Sequence, residues 1–172
     1  MRCLSVQASL LLPFAPFAVL PQIILISIRH LSKVGLAKMQ NNDRDSSLYI
    51  LMISVHGLIR AHELELGSNA DTGGQTKYVV ELTKTLAEHP QVGKVDLLTR
   101  LIDDDSLSDE YAQPEEKLSE NSRIIRLPCG PKKYIRKEAL WRHLDQMVDK
   151  CLRFLRQQGQ LPDFIHAHYA DA

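Results

Sequence analysis

From Leu48 to Val55 the run L-Y-I-L-M-I-S-V is apolar at both odd and even positions, which predicts a strand buried on both faces of a parallel sheet. His56-Gly57 ends it. A polar stretch leads to Gly73-Gly74-Gln75, after which Tyr78, Val79, Leu82 and Leu86 recur at helical spacing. That helix is expected to stop at His89-Pro90, because proline lacks an N–H and pushes its predecessor out of helical geometry. Lys94 to Thr99 reads as a second strand, and Arg123 to Leu127 as a third, turned out by Pro128-Cys129-Gly130-Pro131. Between them, Asp103 to Glu120 is acidic and poor in large apolar residues, and is expected to be a mobile surface loop. Leu140, Trp141, Leu144, Met147, Val148, Cys151, Leu152 and Leu155 form one wide stripe of a long helix facing the sheet, ended by Gly159 with Pro162 beyond. F-I-H-A-H, residues 164–168, is a fourth strand.

Strands alternating with helices define an α/β class with a Rossmann-like parallel sheet covered by helices. With 172 residues and 44% hydrophobic content, the chain can bury the core of one domain. A sheet stopping after the fourth strand is expected to leave an open edge. The first residues stand apart. Cys3 to Ile28 carries no charge, but Pro13, Pro16 and Pro21 interrupt any spanning helix. Met39 opens a polar run before the first strand. Residues 1–47 are therefore expected to be a non-core N-terminal extension, with Met39 the natural start, and residues 48–172 the folded part.

Charge narrows the possible partners. Lys+Arg and Asp+Glu number 21 each, so no global field draws the chain to nucleic acid or to an anionic membrane, and any basic site is local. Cys3, Cys129 and Cys151 are odd in number and widely spaced. They suggest neither a disulfide framework nor a zinc knuckle, and fit a reducing, cytoplasmic compartment.

Three groups of residues could carry chemistry. Gly73-Gly74 before an amphipathic helix lets a ligand approach free N–H groups that attract anions, although a ligand-free glycine turn fits the same residues. The pair is neither G-x-G-x-x-G nor a G-K-[ST] phosphate loop. Lys132, Lys133, Arg136 and Lys137 surround Tyr134 at the start of the long helix. They suit a phosphate dianion, or simply solvent, and cations there oppose the helix dipole. His166 and His168 lie two apart and so face the same side of a strand, with Asp171 nearby. His56 ends the first strand at the same rim, where sites of α/β sheets form. A zinc site would need a third ligand, and a structural role for His166 remains open. No G-x-S-x-G, H-E-x-x-H or paired cysteine nucleophile is present.

Taken in order, S-V-H-G-L-I-R, E-L-E-L-G-S-N-A-D-T-G-G-Q-T-K-Y-V-V-E-L, L-L-T-R, K-E-A-L-W and P-D-F-I-H-A-H-Y-A-D-A resemble the N-terminal domain of sucrose-phosphate synthases, over residues 48–172. D-T-G-G-Q is shared with sucrose synthases, the alternative family. The resemblance implies the N-terminal, acceptor half of a GT-B fold, left incomplete here. It also implies transfer of glucose from a nucleotide donor to fructose 6-phosphate with retained configuration, giving sucrose 6-phosphate.

It implies roles for particular residues too. Gly73, Gly74 and Gln75 match the loop where donor and acceptor meet; Lys137 matches a position that holds the phosphate of fructose 6-phosphate, with Lys133 as a helper. His168 matches the histidine beside the reacting sugars, expected to stabilise an oxocarbenium-like state rather than attack it. No cofactor or metal is implied, and no nucleic acid or stable membrane partner. The groups that hold the nucleotide diphosphate belong to the family's second domain, so the 172-residue chain alone is expected to be inactive or at most a sugar-phosphate binder. Ala61-His62-Glu63, and Arg142 after Leu140-Trp141, depart from the family pattern.

Overall fold

The computed structural model describes residues 24–27, 47–65, 67, 71–169 and 172. Cys3, Met39 and Asp171 lie outside the described residues. The strands are β1 (Ile24–Ser27), β2 (Leu48–Ile53), β3 (Val92–Leu101), β4 (Glu115–Lys117), β5 (Ser122–Pro128) and β6 (Phe164–Ala167). The helices are α1 (Gly74–Ala87), α2 (Lys137–Leu140) and α3 (Leu144–Gln158). They form an α/β layer whose six strands run in the order β1-β6-β2-β3-β5-β4.

The four central strands, β6, β2, β3 and β5, are mutually parallel. Their near-continuous apolar runs are explained by cover on both faces. Even-numbered positions of β2, Ile50 and Met52, pack with Val79 and Val80 of α1. Odd-numbered Tyr49 and Leu51 pack with Leu140, Met147 and Leu155 from the other side. Such alternation follows from the two-residue period of a strand. The path from β2 through α1 to β3 runs one way across the sheet. The path from β5 through α2 and α3 to β6 returns past it. β2 therefore separates the two directions, and the C-terminal ends of β2 and β6 flank the switch point where ligands of open α/β sheets bind.

Four features differ from the expectations raised by the sequence. β1, inside the stretch expected to lie outside the fold, pairs antiparallel with β6 from Ile24↔Ala167 to Ser27↔Phe164, on the edge expected to be open. The acidic segment 103–120 is not a bare loop. Tyr111, in a 3-10 turn at Asp109–Ala112, is buried with Leu58 and Ile102, and β4 adds an antiparallel pair to β5. Glu116 ties it down, since it pairs with the buried Arg126 and accepts a 2.9 Å bond from the Ala61 N–H. The expected long helix breaks into α2, a 3-10 turn at Trp141–His143, and α3. The break leaves Trp141, Val148 and Leu152 of the expected stripe 57%, 57% and 42% exposed, while Leu140, Met147 and Leu155 are buried. Gly159 does end α3, at φ 68° in the left-handed region.

Among the described residues no helix is long and apolar enough to cross a membrane. Cys129 and Cys151 are free thiols, and burial pushes Cys151 up to about 11.

Candidate functional site at the switch point

β2 delivers Ser54, Val55 and His56 to the rim, and Gly57 turns the chain away at φ +87°. A Cβ on Gly57 would stand 2.7 Å from Thr76 Cγ2 and 2.8 Å from the Asp71 carbonyl oxygen, so only glycine allows this approach. The turn is pinned to the G-G-Q loop by the Leu58 N–H, which donates to Thr72 Oγ1 at 3.0 Å. Gly73 is the N-cap of α1 without a side-chain cap bond, and the first turn holds no acid. Among the described residues nothing beyond the adjoining chain lies within 4 Å of where a Cβ would sit on Gly73 or Gly74. The start of α1 therefore has open space beside it and no carboxylate of its own to meet its dipole.

Gln75 is held from both sides. Nε2 of His56 donates to its Oε1 at 2.9 Å, and its own Nε2 donates to Ser54 Oγ at 3.3 Å. The His56 ring meets the Tyr169 ring edge-on, centroids 5.0 Å apart. Tyr169 follows β6 with φ +75°, a conformation that costs a non-glycine residue of order 1–3 kcal/mol. Its other neighbour is Lys137, whose ammonium lies 5.2 Å from the ring centroid. Gln75, His56, Tyr169 and Lys137 thus form a continuous line of contacts along the rim.

Lys137 is also fixed through its backbone. Its N–H donates to Asp71 Oδ2 at 3.1 Å, and the Tyr134 hydroxyl donates to the same oxygen at 2.9 Å. Burial, then Asp71, raises the Tyr134 phenol above its ordinary 10.0. The other cations of the segment do not all join this line. The carbonyl of Lys133 accepts from buried Arg100, Lys132 pairs with Asp103 at 2.8 Å, and Arg136 lies 3.8 Å from Glu138. Lys133 is tied to Arg100 by its backbone carbonyl rather than to the contact line.

His166 and His168 face one side, as their spacing requires, with ring centroids 4.2 Å apart. His168 is 6% exposed and meets Tyr78 of α1 edge-on at 5.8 Å. Among the described residues, the Nε2 atoms of both rings are buried without a hydrogen-bond partner. Burial, reinforced by His166, lowers His168 from 6.5 to about 4, and burial also lowers His166. The pair is therefore neutral near pH 7, and two donor or acceptor atoms stand ready for a polar group. Among the described residues no three His, Cys, Asp or Glu side chains gather to hold a metal ion.

A formed hollow among the described residues lies elsewhere. It has a volume of about 350 Å³ and is lined by Lys94, Asp96, Glu115, Lys117 and Arg123, toward the N-terminal ends of β3 and β5. Asp96, Glu115, Lys94 and Arg123 there already pair with one another. The His166 and His168 Nε2 atoms and the Lys137 ammonium are at the opposite rim.

Sequence reasoning named His168, Gly73, Gly74, Gln75, Lys137 and His56 but passed over Asp71, Ser54 and Tyr169. Asp71 sits inside D-T-G-G-Q, where a carboxylate is ordinarily read as the cap of its own helix. Its partners are 63 and 66 residues away.

A Rossmann-like layer with its open groups at the switch point is the architecture of one half of a GT-B glycosyltransferase. Comparison with known proteins makes this specific. The sucrose-phosphate synthase of Zea mays is 40% identical over 77% of this chain, and that of Spinacia oleracea 41% identical over 77%. Among solved structures, sucrose-phosphate synthase from Thermosynechococcus elongatus superposes with a TM-score of 0.51 at 31% identity, over 65% of this chain and 25% of that one. No family profile matches. Over the segment it shares with them, the chain belongs to the sucrose-phosphate synthase family. It spans about 15% of the length of these curated relatives.

Proposed function

We propose that this chain carries the acceptor half of a retaining glucosyltransferase site, in which fructose 6-phosphate receives glucose from a nucleotide-glucose to give sucrose 6-phosphate. The observation that carries the reading is the contact line Gln75–His56–Tyr169–Lys137, which sets a cation and a glycine-opened helix start along one rim. A phosphate dianion suits that combination, because charge-assisted hydrogen bonds from an ammonium and directed backbone N–H groups act on the same anion. Gly73 and Gly74 leave room for the ligand, and Gln75 is braced to present its amide edge. Lys133 serves as a more distant positive charge.

His168 suits the transferring glucose. A neutral imidazole can hydrogen-bond a sugar hydroxyl without placing a positive charge beside an oxocarbenium-like centre, and its depressed pKa keeps it neutral at physiological pH. Retention is then achieved by attack from the face of the leaving group, with the departing phosphate taking the acceptor's proton. The side chains supply position and electrostatics rather than a nucleophile. No cofactor takes part. The site works in the cytoplasm, and the nucleotide diphosphate is held by residues of the family outside the matched segment.

The test is calorimetric titration of the 172-residue chain with fructose 6-phosphate and with fructose. Lys137→Ala is expected to weaken the phosphorylated sugar by about 1.5 to 3 kcal/mol and to leave fructose unchanged. An equal loss for both sugars would count against a phosphate contact and in favour of the sucrose synthase alternative.

A further inference from the structure

α2 begins without a cap of its own. Its N-cap residue, Arg136, offers no side-chain acceptor, and the first helical residue is Lys137 itself. The acceptor for the Lys137 N–H comes instead from Asp71, two residues ahead of Gly73, and the same oxygen takes the Tyr134 hydroxyl. Asp71 is 7% exposed, and its backbone is fixed independently. Its carbonyl lies under Gly57, and the adjoining Thr72, fully buried, accepts from Leu58. Asp71 is thus anchored to β2 on one side and grips the lysine-bearing segment on the other.

The geometry points to Asp71 as a positioning residue, which caps α2 from the glycine loop and so sets where the Lys137 ammonium stands relative to the start of α1. The inference rests on the reading of Lys137 as a phosphate contact. Asp71 acts through Lys137 in this reading and not on the phosphate itself. A carboxylate facing a phosphate site would repel the anion, but here its oxygen is turned to Tyr134 and to a backbone N–H, both of which spread its charge away from the open space. The arrangement explains why a short, weakly capped helix can hold a lysine at a fixed height. It also explains why Tyr134 lies among four cations, since its hydroxyl is the second tether.

Hydrogen exchange on the 172-residue chain tests this without any ligand. Asp71→Ala is expected to speed exchange of the amides in Lys137–Leu140 about tenfold or more, with β3 amides unchanged. Asp71→Asn, which keeps the volume and guards against a failure to fold, is expected to give a smaller rise at the same place. Unchanged exchange there in both variants overturns the proposal, and so does an equal rise through β3. A double-mutant cycle read by calorimetry with fructose 6-phosphate tests the link to Lys137. Lys137→Ala is expected to weaken binding about tenfold or more in the parent chain, but less than about threefold when Asp71→Asn is already present. Equal losses on both backgrounds contradict a role exerted through the lysine. Absence of binding by the parent chain would sink the reading of the preceding subsection, and the exchange experiment would still decide whether Asp71 holds α2.

Discussion

Two pairings of a carboxylate with a tyrosine hydroxyl, Asp96 with Tyr49 and Asp71 with Tyr134, lie toward opposite ends of the strands, and their surroundings differ. Toward the N-terminal ends, Asp96 is fully buried; it takes the Tyr49 hydroxyl at 2.7 Å, Arg123 Nε at 2.7 Å and Lys94 at 3.2 Å. Tyr49, Arg123 and Lys94 all find their acceptor in the one carboxylate. Arg123 goes on to Glu115 and Gln158, knitting β3, β5, the β4 hairpin and the end of α3. At the C-terminal rim, Asp71 takes the Tyr134 hydroxyl and a backbone N–H, while the Lys137 ammonium rests on an aromatic ring and two imidazole nitrogens have no partner among the described residues. A saturated network contributes stability. An unsaturated one, held in place by strained backbone and a single permitted glycine, has the features of a site that a ligand completes.

The largest expected effect lies in the saturated network. Asp96→Ala strands the buried Tyr49 phenol and takes one acceptor from the part-exposed Arg123, and is expected to cost about 3 to 4 kcal/mol in denaturant unfolding. A loss under 1 kcal/mol would mean the network is looser than its distances imply.

The next effect belongs to the rim and depends on pH. Folding holds His168 near 4, below its ordinary 6.5, so between those values the unfolded chain binds a proton that the folded chain refuses. Stability is therefore expected to fall as pH drops from 6.5 to 4, by about 2 to 3 kcal/mol from this residue. His166 adds to it in the same direction. Unfolding of the parent chain and of His168→Gln at pH 7 and pH 4.5 separates this contribution from that of the carboxylates. An identical pH slope in both would show that His168 is not desolvated.

The smallest effect sits outside both regions. Val148 is 57% exposed on α3, so Val148→Ser is expected to change unfolding stability by no more than about 0.5 kcal/mol. A large loss would mean that the apolar stripe is covered in solution.

How far the sequence discloses these regions follows from the range of the contacts involved. The limits of α1 are local, set by Gly73-Gly74 before it and His89-Pro90 after it, and they are legible. So is the common face of His166 and His168, which follows from the strand's period. The α2–α3 break is not legible, because the stripe from Leu140 to Leu155 reads as one helix and only packing shows that Trp141, Val148 and Leu152 are exposed. The burial of Tyr111 in an otherwise acidic segment depends on Leu58 and Ile102, which the sequence does not place near it. Asp71 is the clearest case, since its tethers span more than 60 residues and no local pattern records them.

The central claim, that the open rim and not the saturated hollow receives a phosphorylated sugar, is tested most directly by a crystal of this chain soaked with fructose 6-phosphate. The account predicts the phosphate beside the Lys137 ammonium and the N–H groups at Gly73 and Gly74. Density for the sugar in the hollow beside Lys94 and Arg123, with Lys137 turned to solvent, would contradict it.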